Sequence, residues 1–206
     1  MSRVITYIDG FNLYFGLRES GSRRFYWLDI HQLSQRLLKP NQTLQSVKYF
    51  TSRVSASSRD PGKDRRQSAY LEAIATLPRT NCYFGHYLEK NIRCPFCKKS
   101  WGKPEEKMTD VNIAVEMLTD AQQDLFDTAL LISADSDLSG PIERIRKLYP
   151  AKRIIAIFPP NRTSGKLRSV ANASFQLGVA LIRQSQLPNP VVKPDGFAIA
   201  KPATWV

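Results

Sequence analysis

The segment TALLISADSDL, residues 128–138, joins an unbroken apolar run to two carboxylates. A run of this kind, without polar alternation, is typical of a strand buried on both faces of a parallel sheet. Asp135 and Asp137 come directly after it. Because open parallel sheets bind their ligands beyond the carboxyl ends of the strands, we predict that both acids lie at a functional edge.

The same arrangement recurs along the chain. Residues 4–8, VITYI, form a β-rich run that leads into Asp9, and residues 153–158, RIIAIF, form another apolar run. Segments with helical spacing lie between such runs, and one of them follows Asp29, a residue type that caps helix N-termini. This alternation predicts an α/β fold with a mainly parallel central sheet and helices on both faces.

Four aspartates are predicted to meet at one edge of this sheet. Asp9, Asp135 and Asp137 follow central strands, and Asp110 begins a predicted helix that can reach the same place. Carboxylates held together repel one another unless a cation neutralises them, and Mg²⁺ prefers oxygen ligands. Two alternatives stay open: each acid could cap a helix, and DSDLS at 135–139 could begin a calcium loop, although the rest of that motif is missing.

Charge points to a polyanionic partner. The chain has 206 residues and a net charge of +12, with a pI near 9.8. Such a surplus attracts nucleic acid at long range. The length suits one domain, or one domain with a tail. No apolar run is long enough for a membrane helix and the N-terminus lacks the pattern of a signal peptide, so we expect a cytoplasmic protein without membrane contact.

Three segments, taken together and in this order, resemble the NYN domain, a branch of the PIN-like nucleases. They are DGFN at residues 9–12, EKMTDV at 106–111 and SADSDL at 133–138. The resemblance covers roughly residues 3–180 and implies a Rossmann-like three-layer fold. We therefore expect a nuclease domain over residues 1–183, with a polar insertion at about 90–107, followed by a proline-containing tail over 184–206.

The resemblance implies metal-dependent hydrolysis of RNA, with single-stranded RNA expected in preference to double-stranded RNA. Mg²⁺ or Mn²⁺ is then the expected cofactor. The implied catalytic residues are the acidic metal ligands with one supporting amide: Asp9, Asp110, Asp135, Asp137 and Asn12. Glu116 is a less favoured ligand, because six helical positions place it about 240° around the axis from Asp110. The alternatives are an RNA-binding or regulatory module on an inactive NYN fold, and a DNA nuclease or phosphatase.

Basic and aromatic residues are candidates for an RNA surface. Phosphate contacts supply affinity without sequence selectivity, and aromatic rings stack on unpaired bases. The candidate cations are Arg65, Arg66, Lys107, Arg162, Lys166 and Arg168. The candidate stacking residues are Phe11, Tyr14 and Trp101, with an ordinary core position as the alternative for each.

The cysteines allow two interpretations. Cys94 and Cys97 form a CxxC pair, which is half of a four-ligand zinc site, and Cys82 with His86 could complete it. The alternative is a polar hairpin with unligated thiols and a Cys82 that packs in the core. The tail after Ser185 could pack on the domain, mediate a homodimer or remain disordered.

Overall fold

The computed structural model describes residues 1–21, 23–56 and 60–205, with the backbone alone for residues 87–91 and 101–106. The strands are β1 (Ser2–Asp9), β2 (Gln42–Thr51), β3 (Thr80–Phe84), β4 (His86–Arg93), β5 (Ser100–Lys107), β6 (Thr128–Ile132), β7 (Arg153–Phe158), β8 (Ala173–Gln176), β9 (Val191–Val192) and β10 (Ala198–Ile199). The α-helices are α1 (Gly10–Glu19), α2 (Ile30–Arg36), α3 (Lys63–Ile74), α4 (Thr109–Gln122), α5 (Ser139–Leu148), α6 (Gly165–Val170) and α7 (Val179–Gln184).

The central sheet contains six parallel strands in the order β3-β2-β1-β6-β7-β8. The chain builds outward from β1 through β2 to β3, then returns to place β6 on the other side of β1. The strand order therefore reverses between β1 and β6, and such switch points are where open α/β sheets bind ligands. The predicted α/β fold with a parallel central sheet, of the Rossmann-like PIN type, is confirmed.

Two apolar cores cover the two faces of the sheet. Alternate residues of β1 divide between them: Val4 and Ile8 pack with residues of α1, α2, α3 and α7, whereas Ile5 and Tyr7 pack with residues of α4, α5 and α6. Because successive side chains of a strand point to opposite faces, a strand covered on both sides needs apolar residues at odd and at even positions. This requirement explains the unbroken apolar runs of β1, β6 and β7.

Local capping sets one element boundary, and a break at a glycine sets another. The predicted cap at Asp29 is confirmed, since its carboxylate accepts a hydrogen bond from the backbone N–H of Gln32 at 2.7 Å. β3 and β4 are separate strands, because the chain breaks between them at Gly85. A Cβ at Gly85 would collide with the carbonyl of Lys107, so the break depends on glycine.

The polar insertion is an antiparallel hairpin of β4 and β5, which pair from His86 with Lys107 to Arg93 with Ser100. The CxxC pair lies in the turn at the far end of the hairpin from α4. Since α4 begins two residues after β5 ends, the base of the hairpin stands beside Asp110.

The C-terminal tail packs on the domain. Its buried apolar residues join the core on the side of α1 to α3, and they are Leu187, Val191, Ile199 and Trp205. Trp27 anchors the tail by donating its indole N–H to the carbonyl oxygen of Pro188 at 2.9 Å. Within the described part of the chain, no helix is long and apolar enough to cross a membrane.

Candidate metal centre

Asp9 stands where β1 ends and α1 begins. One carboxylate oxygen accepts a hydrogen bond from the backbone N–H of Asn12 at 2.9 Å, so Asp9 caps α1 as the capping alternative proposed. The residue is only 3% exposed, and its other carboxylate oxygen points to the end of β6. Capping and membership of an acidic site are therefore compatible here.

Asp135 and Asp110 complete a group of three carboxylates with Asp9. Asp135 follows β6 and caps the short 3-10 helix Ser136–Leu138, while Asp110 is the second residue of α4. One carboxylate oxygen from each of the three lies within 4.8 Å of those of the other two. Oxygen ligands from three separate segments of the chain thus lie together at the switch point of the sheet.

Ser133 and Asn12 hold the ends of β1 and β6 together. Ser133 is fully buried; its hydroxyl donates to Asp9 at 2.9 Å and accepts the backbone N–H of Asp135 at 3.0 Å. The Asn12 side-chain oxygen accepts the backbone N–H of Ala134 at 3.2 Å. Asn12 was expected to support the site, whereas the sequence analysis gave Ser133 no role. Its only signal was a hydroxyl at the end of an apolar strand, directly before the acids.

The acidic group is electrostatically strained without a cation. Burial, and then the charges of Asp135, Asp9 and Asp137, raise the pKa of Asp110 to about 6. Burial also raises the pKa of Asp9, against hydrogen bonds from Asn12 and Ser133 that act in the opposite direction. A divalent cation would relieve this repulsion, and three carboxylate oxygens are ligands that Mg²⁺ and Mn²⁺ accept.

Replacement of Asp110 by Asn should stabilise the metal-free protein above pH 6. Because the folded-state pKa lies above the unfolded value, the wild type loses stability from this group as the pH rises from about 4 through about 6. The shift corresponds to about 1–2 kcal/mol after allowance for partial exposure. Thermal unfolding in EDTA at pH 5.0 and 7.5 measures this. A variant less stable than the wild type at pH 7.5 would contradict the electrostatic account.

Ser133→Ala should weaken metal binding while the three ligands remain. The hydroxyl orients Asp9 and the backbone at Asp135, and loss of such outer contacts lowers metal affinity about 10–100-fold. Calorimetric titration with Mn²⁺ measures the effect, and Ser169→Ala on the exposed side of α6 is the matched control. Equal affinities in the two variants would remove Ser133 from the site.

Asp137 and Glu116 do not join the group of three. Asp137 is exposed, and its backbone N–H donates to Asp135 at 3.0 Å. The Glu116 carboxylate pairs with the Lys48 ammonium at 2.7 Å, on the face of the sheet that α4 covers. Asp137 contributes charge near the site, and Glu116 is occupied by a structural ion pair.

The candidate RNA-binding cations differ in their surroundings. Arg65, Lys107, Lys166 and Arg168 are exposed. Lys166 lies 3.5 Å from Glu143, and Arg168 lies over the ring of Phe158. The other two have closer partners: Arg66 pairs with Asp60, and Arg162 pairs with Glu19 at 2.6 Å. The side chain of Trp101 lies outside the described residues.

Cys82 and His86 do not join the CxxC pair in one group of ligands among the described residues. Among the residues that the structure describes, the potential metal-binding group is the aspartate triad, and it contains neither cysteine nor histidine. Cys82 is half-buried on β3, packs against the core, and has a pKa raised by burial to about 11. Cys94 accepts hydrogen bonds from the backbone N–H groups of Cys97 and Phe96, which lower its pKa. Cys82 thus follows the core alternative, and the CxxC pair stands alone in its turn.

A six-stranded parallel sheet with carboxylates at its switch point places this chain in the PIN-like class of Rossmann-related α/β proteins. Residues 3–178 match the family model of the NYN domain, and the chain belongs to that family. The predicted family is confirmed over nearly the whole chain. Membership makes this a nuclease-type fold with an acidic group suited to a metal ion.

The chain is similar in sequence to a named enzyme and in fold to a solved structure. The chain is 26% identical to the 6-hydroxy-3-succinoylpyridine 3-monooxygenase of Pseudomonas putida (strain DSM 28022 / S16), over 98% of this chain and 75% of that protein. The fold of this chain is similar to that in the crystal structure of a protein of unknown function from Vibrio parahaemolyticus RIMD 2210633. That similarity has a TM-score of 0.53 and 21% identity, and covers 86% of this chain and 93% of that one.

Proposed function

We propose that this protein is a metal-dependent ribonuclease that hydrolyses RNA phosphodiester bonds internally. The observation that carries the proposal is the convergence of Asp9, Asp110 and Asp135 within 4.8 Å at the switch point of a NYN-family sheet. A structural role alone would not require three carboxylates, two of them with raised pKa values, at one point. Strained titratable groups in one place are typical of functional sites.

The residues present fit Mg²⁺ or Mn²⁺. Asp9, Asp110 and Asp135 would hold the ion, and Asp137 would add negative charge at the exposed side. Such an ion supplies Lewis acidity at the scissile phosphate. Asp9 and Asp135 are fixed by Ser133, and Asn12 ties α1 to the residue after β6, so the ligands keep their relative positions.

RNA is the proposed substrate because of charge and family. The net charge of +12 favours a polyanion, and the exposed cations Arg65, Lys166 and Arg168 would contact its phosphates. In-line hydrolysis requires water to approach the scissile phosphorus from the side opposite the leaving oxygen, and a cation held by Asp9, Asp110 and Asp135 would offset the repulsion between the phosphate and these carboxylates. We propose single-stranded RNA, whose phosphates can reach a site at the edge of a sheet.

The Pseudomonas relative raises oxygenation of an aromatic ring as a competing activity. Non-haem iron oxygenases typically use two histidines and one carboxylate, whereas the group here consists of three carboxylates. The donor set therefore favours hydrolysis with a hard cation. The other competitor is an RNA-binding or regulatory module, which would bind RNA equally well with and without a divalent metal.

Cleavage assays on three substrates separate the ribonuclease from the RNA-binding module and from a DNA nuclease. Purified protein is incubated with labelled linear RNA, circular RNA of the same sequence, and matched DNA, each with Mn²⁺, Mg²⁺ or EDTA. We expect metal-dependent cutting of both RNA forms, since an endonuclease needs no free end. Binding of RNA in EDTA without cutting under any condition would support the binding module, and cutting of DNA alone would overturn the ribonuclease assignment.

A further inference from the structure

A cavity of about 630 Å³ opens beside the acidic site. Its volume lies within the roughly 300–1,000 Å³ typical of small-ligand sites. Gly10 and Phe11, the two residues after Asp9, form part of its wall. Because adjacent Cα atoms are about 3.8 Å apart, the wall of the cavity begins one residue along the backbone from Asp9.

Aromatic side chains form one part of the wall. Tyr14, Tyr26, Tyr49, Tyr70 and Trp205 all line the cavity. Their rings contact one another in a chain: the centroid distances are 5.1 Å for Tyr14 and Tyr26, 5.5 Å for Tyr26 and Trp205, and 6.2 Å for Tyr70 with both Trp205 and Tyr49. Such a surface offers ring faces and edges to a planar ligand.

The junction with the acidic site is tightly packed. A Cβ placed on Gly10 would lie 2.6 Å from the phenol oxygen of Tyr49 and 2.8 Å from the carbonyl oxygen of Phe50. Tyr49 therefore lies directly against the first turn of α1. A ligand in the cavity would stand next to the same turn that Asp9 caps.

Positive charge surrounds the aromatic walls. Among the described residues, the cavity is lined by four cations and one carboxylate, Asp60, which pairs with Arg66; the cations are Arg18, Arg23, Lys63 and Arg66. Arg18 and Arg23 are exposed. An apolar ligand would leave these cations unused, and a simple phosphate would leave the rings unused. The lining matches a flat ring that carries an anionic group.

We propose that the cavity binds one nucleotide of the RNA substrate, with its base against the aromatic walls and its phosphate at the cationic rim. The inference rests on the proposed ribonuclease function, which places the scissile phosphate at Asp9. The nucleotide in the cavity would then neighbour the cleaved bond. The C-terminal tail takes part in recognition, because Trp205 supplies one wall.

Binding can be measured without catalysis. The full chain, in EDTA, is titrated with each of the four ribonucleoside 5′-monophosphates while tryptophan fluorescence is recorded, since a base beside Trp205 should quench its emission. The comparison ligands are inorganic phosphate, the matching nucleosides and nicotinate. We expect saturable quenching by at least one monophosphate, with weaker binding of phosphate alone and of the nucleoside.

Variants locate the binding. Arg18→Ala with Arg23→Ala should weaken monophosphate binding about tenfold or more, as loss of charge-assisted hydrogen bonds predicts. Arg153→Ala, an exposed arginine at the opposite end of the sheet, is the matched control and should bind as the wild type does. Absence of saturable binding, equal affinity in both variants, or tighter binding of nicotinate than of every nucleotide would overturn the proposal.

A second readout separates this inference from the ribonuclease proposal. Cleavage sites in a randomised RNA should show a base preference at one position beside the cut, and Trp205→Leu should flatten it while the Mn²⁺-induced shift in Tm persists. If the protein cleaves RNA but shows neither a base preference nor nucleotide binding, the cavity proposal is refuted and the ribonuclease proposal stands. If the protein binds a nucleotide but cleaves no RNA, the ribonuclease proposal is refuted, and so is the claim that the bound nucleotide neighbours a cleaved bond. The cavity would then remain a nucleotide-binding site.

Discussion

Asp9→Asn is expected to lower RNA cleavage at least about 100-fold, because loss of an outer contact to a metal ligand already costs about 10–100-fold. Asn keeps one oxygen that can accept the backbone N–H of Asn12, so the cap of α1 can persist, and its NH2 group would face the hydroxyl of Ser133 as a donor. The charge that holds the cation is lost. We therefore expect a large fall in activity with little change in fold.

The assay for Asp9→Asn compares initial cleavage rates at saturating Mn²⁺ with thermal unfolding in EDTA. Removal of a buried charge beside Asp135 should leave the metal-free Tm equal or higher. Asp195→Asn applies the same chemical change to an exposed carboxylate of the tail and serves as the control. If Asp9→Asn unfolds while the control does not, Asp9 has a structural role that the cap alone does not explain.

Lys48→Met is expected to destabilise the fold by about 3–5 kcal/mol, since removal of one partner leaves a buried charge uncompensated. The Lys48 ammonium lies 2.6 Å from Asp120 and 2.7 Å from Glu116, and the hydroxyl of Tyr7 donates to Asp120 at 2.6 Å. Burial opposes the charged form of Lys48, but the hydrogen bonds to Asp120 and Glu116 outweigh it and raise the pKa. This network fixes α4, the helix that carries Asp110, to β1 and β2.

Urea unfolding followed by circular dichroism measures the effect of Lys48→Met. Lys39→Met, an exposed lysine, should change the free energy of unfolding by less than about 0.5 kcal/mol. Addition of Asp120→Asn to Lys48→Met should recover much of the loss, because the more deeply buried of the two unpaired carboxylates becomes neutral and Tyr7 keeps an acceptor. A Lys48→Met protein as stable as the Lys39 variant would show that the network contributes little.

The sheet and three of the four predicted acids could be placed from the sequence. Buried parallel strands require continuous apolar residues, so β1, β6 and β7 stand out, and the residues after them must share one edge. Asp9 and Asp135 followed from that rule, and Asp110 from its position at a helix start. The rule does not fix which way each side chain points: the turn after β6 leaves Asp137, the second acid of the D-x-D pair, exposed.

Other features depend on contacts between distant parts of the chain. Lys48 meets Glu116 and Asp120 across 68 and 72 residues, and no local spacing indicates that pairing. Trp205 reaches the aromatic cavity from the end of a proline-containing tail, which local composition could not place. The separation of Cys82 from Cys94 and Cys97 follows from a hairpin whose register is likewise set by pairing.

The most direct test of the account is the cleavage of labelled single-stranded RNA by wild type and Asp135→Asn, purified in parallel and assayed with Mn²⁺ and with EDTA. Asp135 carries one of the three converging carboxylates and caps only a short 3-10 helix, so its amide variant should remain folded. The account predicts Mn²⁺-dependent cutting by the wild type and none above background by the variant. Equal cutting by both proteins would place the activity elsewhere and contradict it.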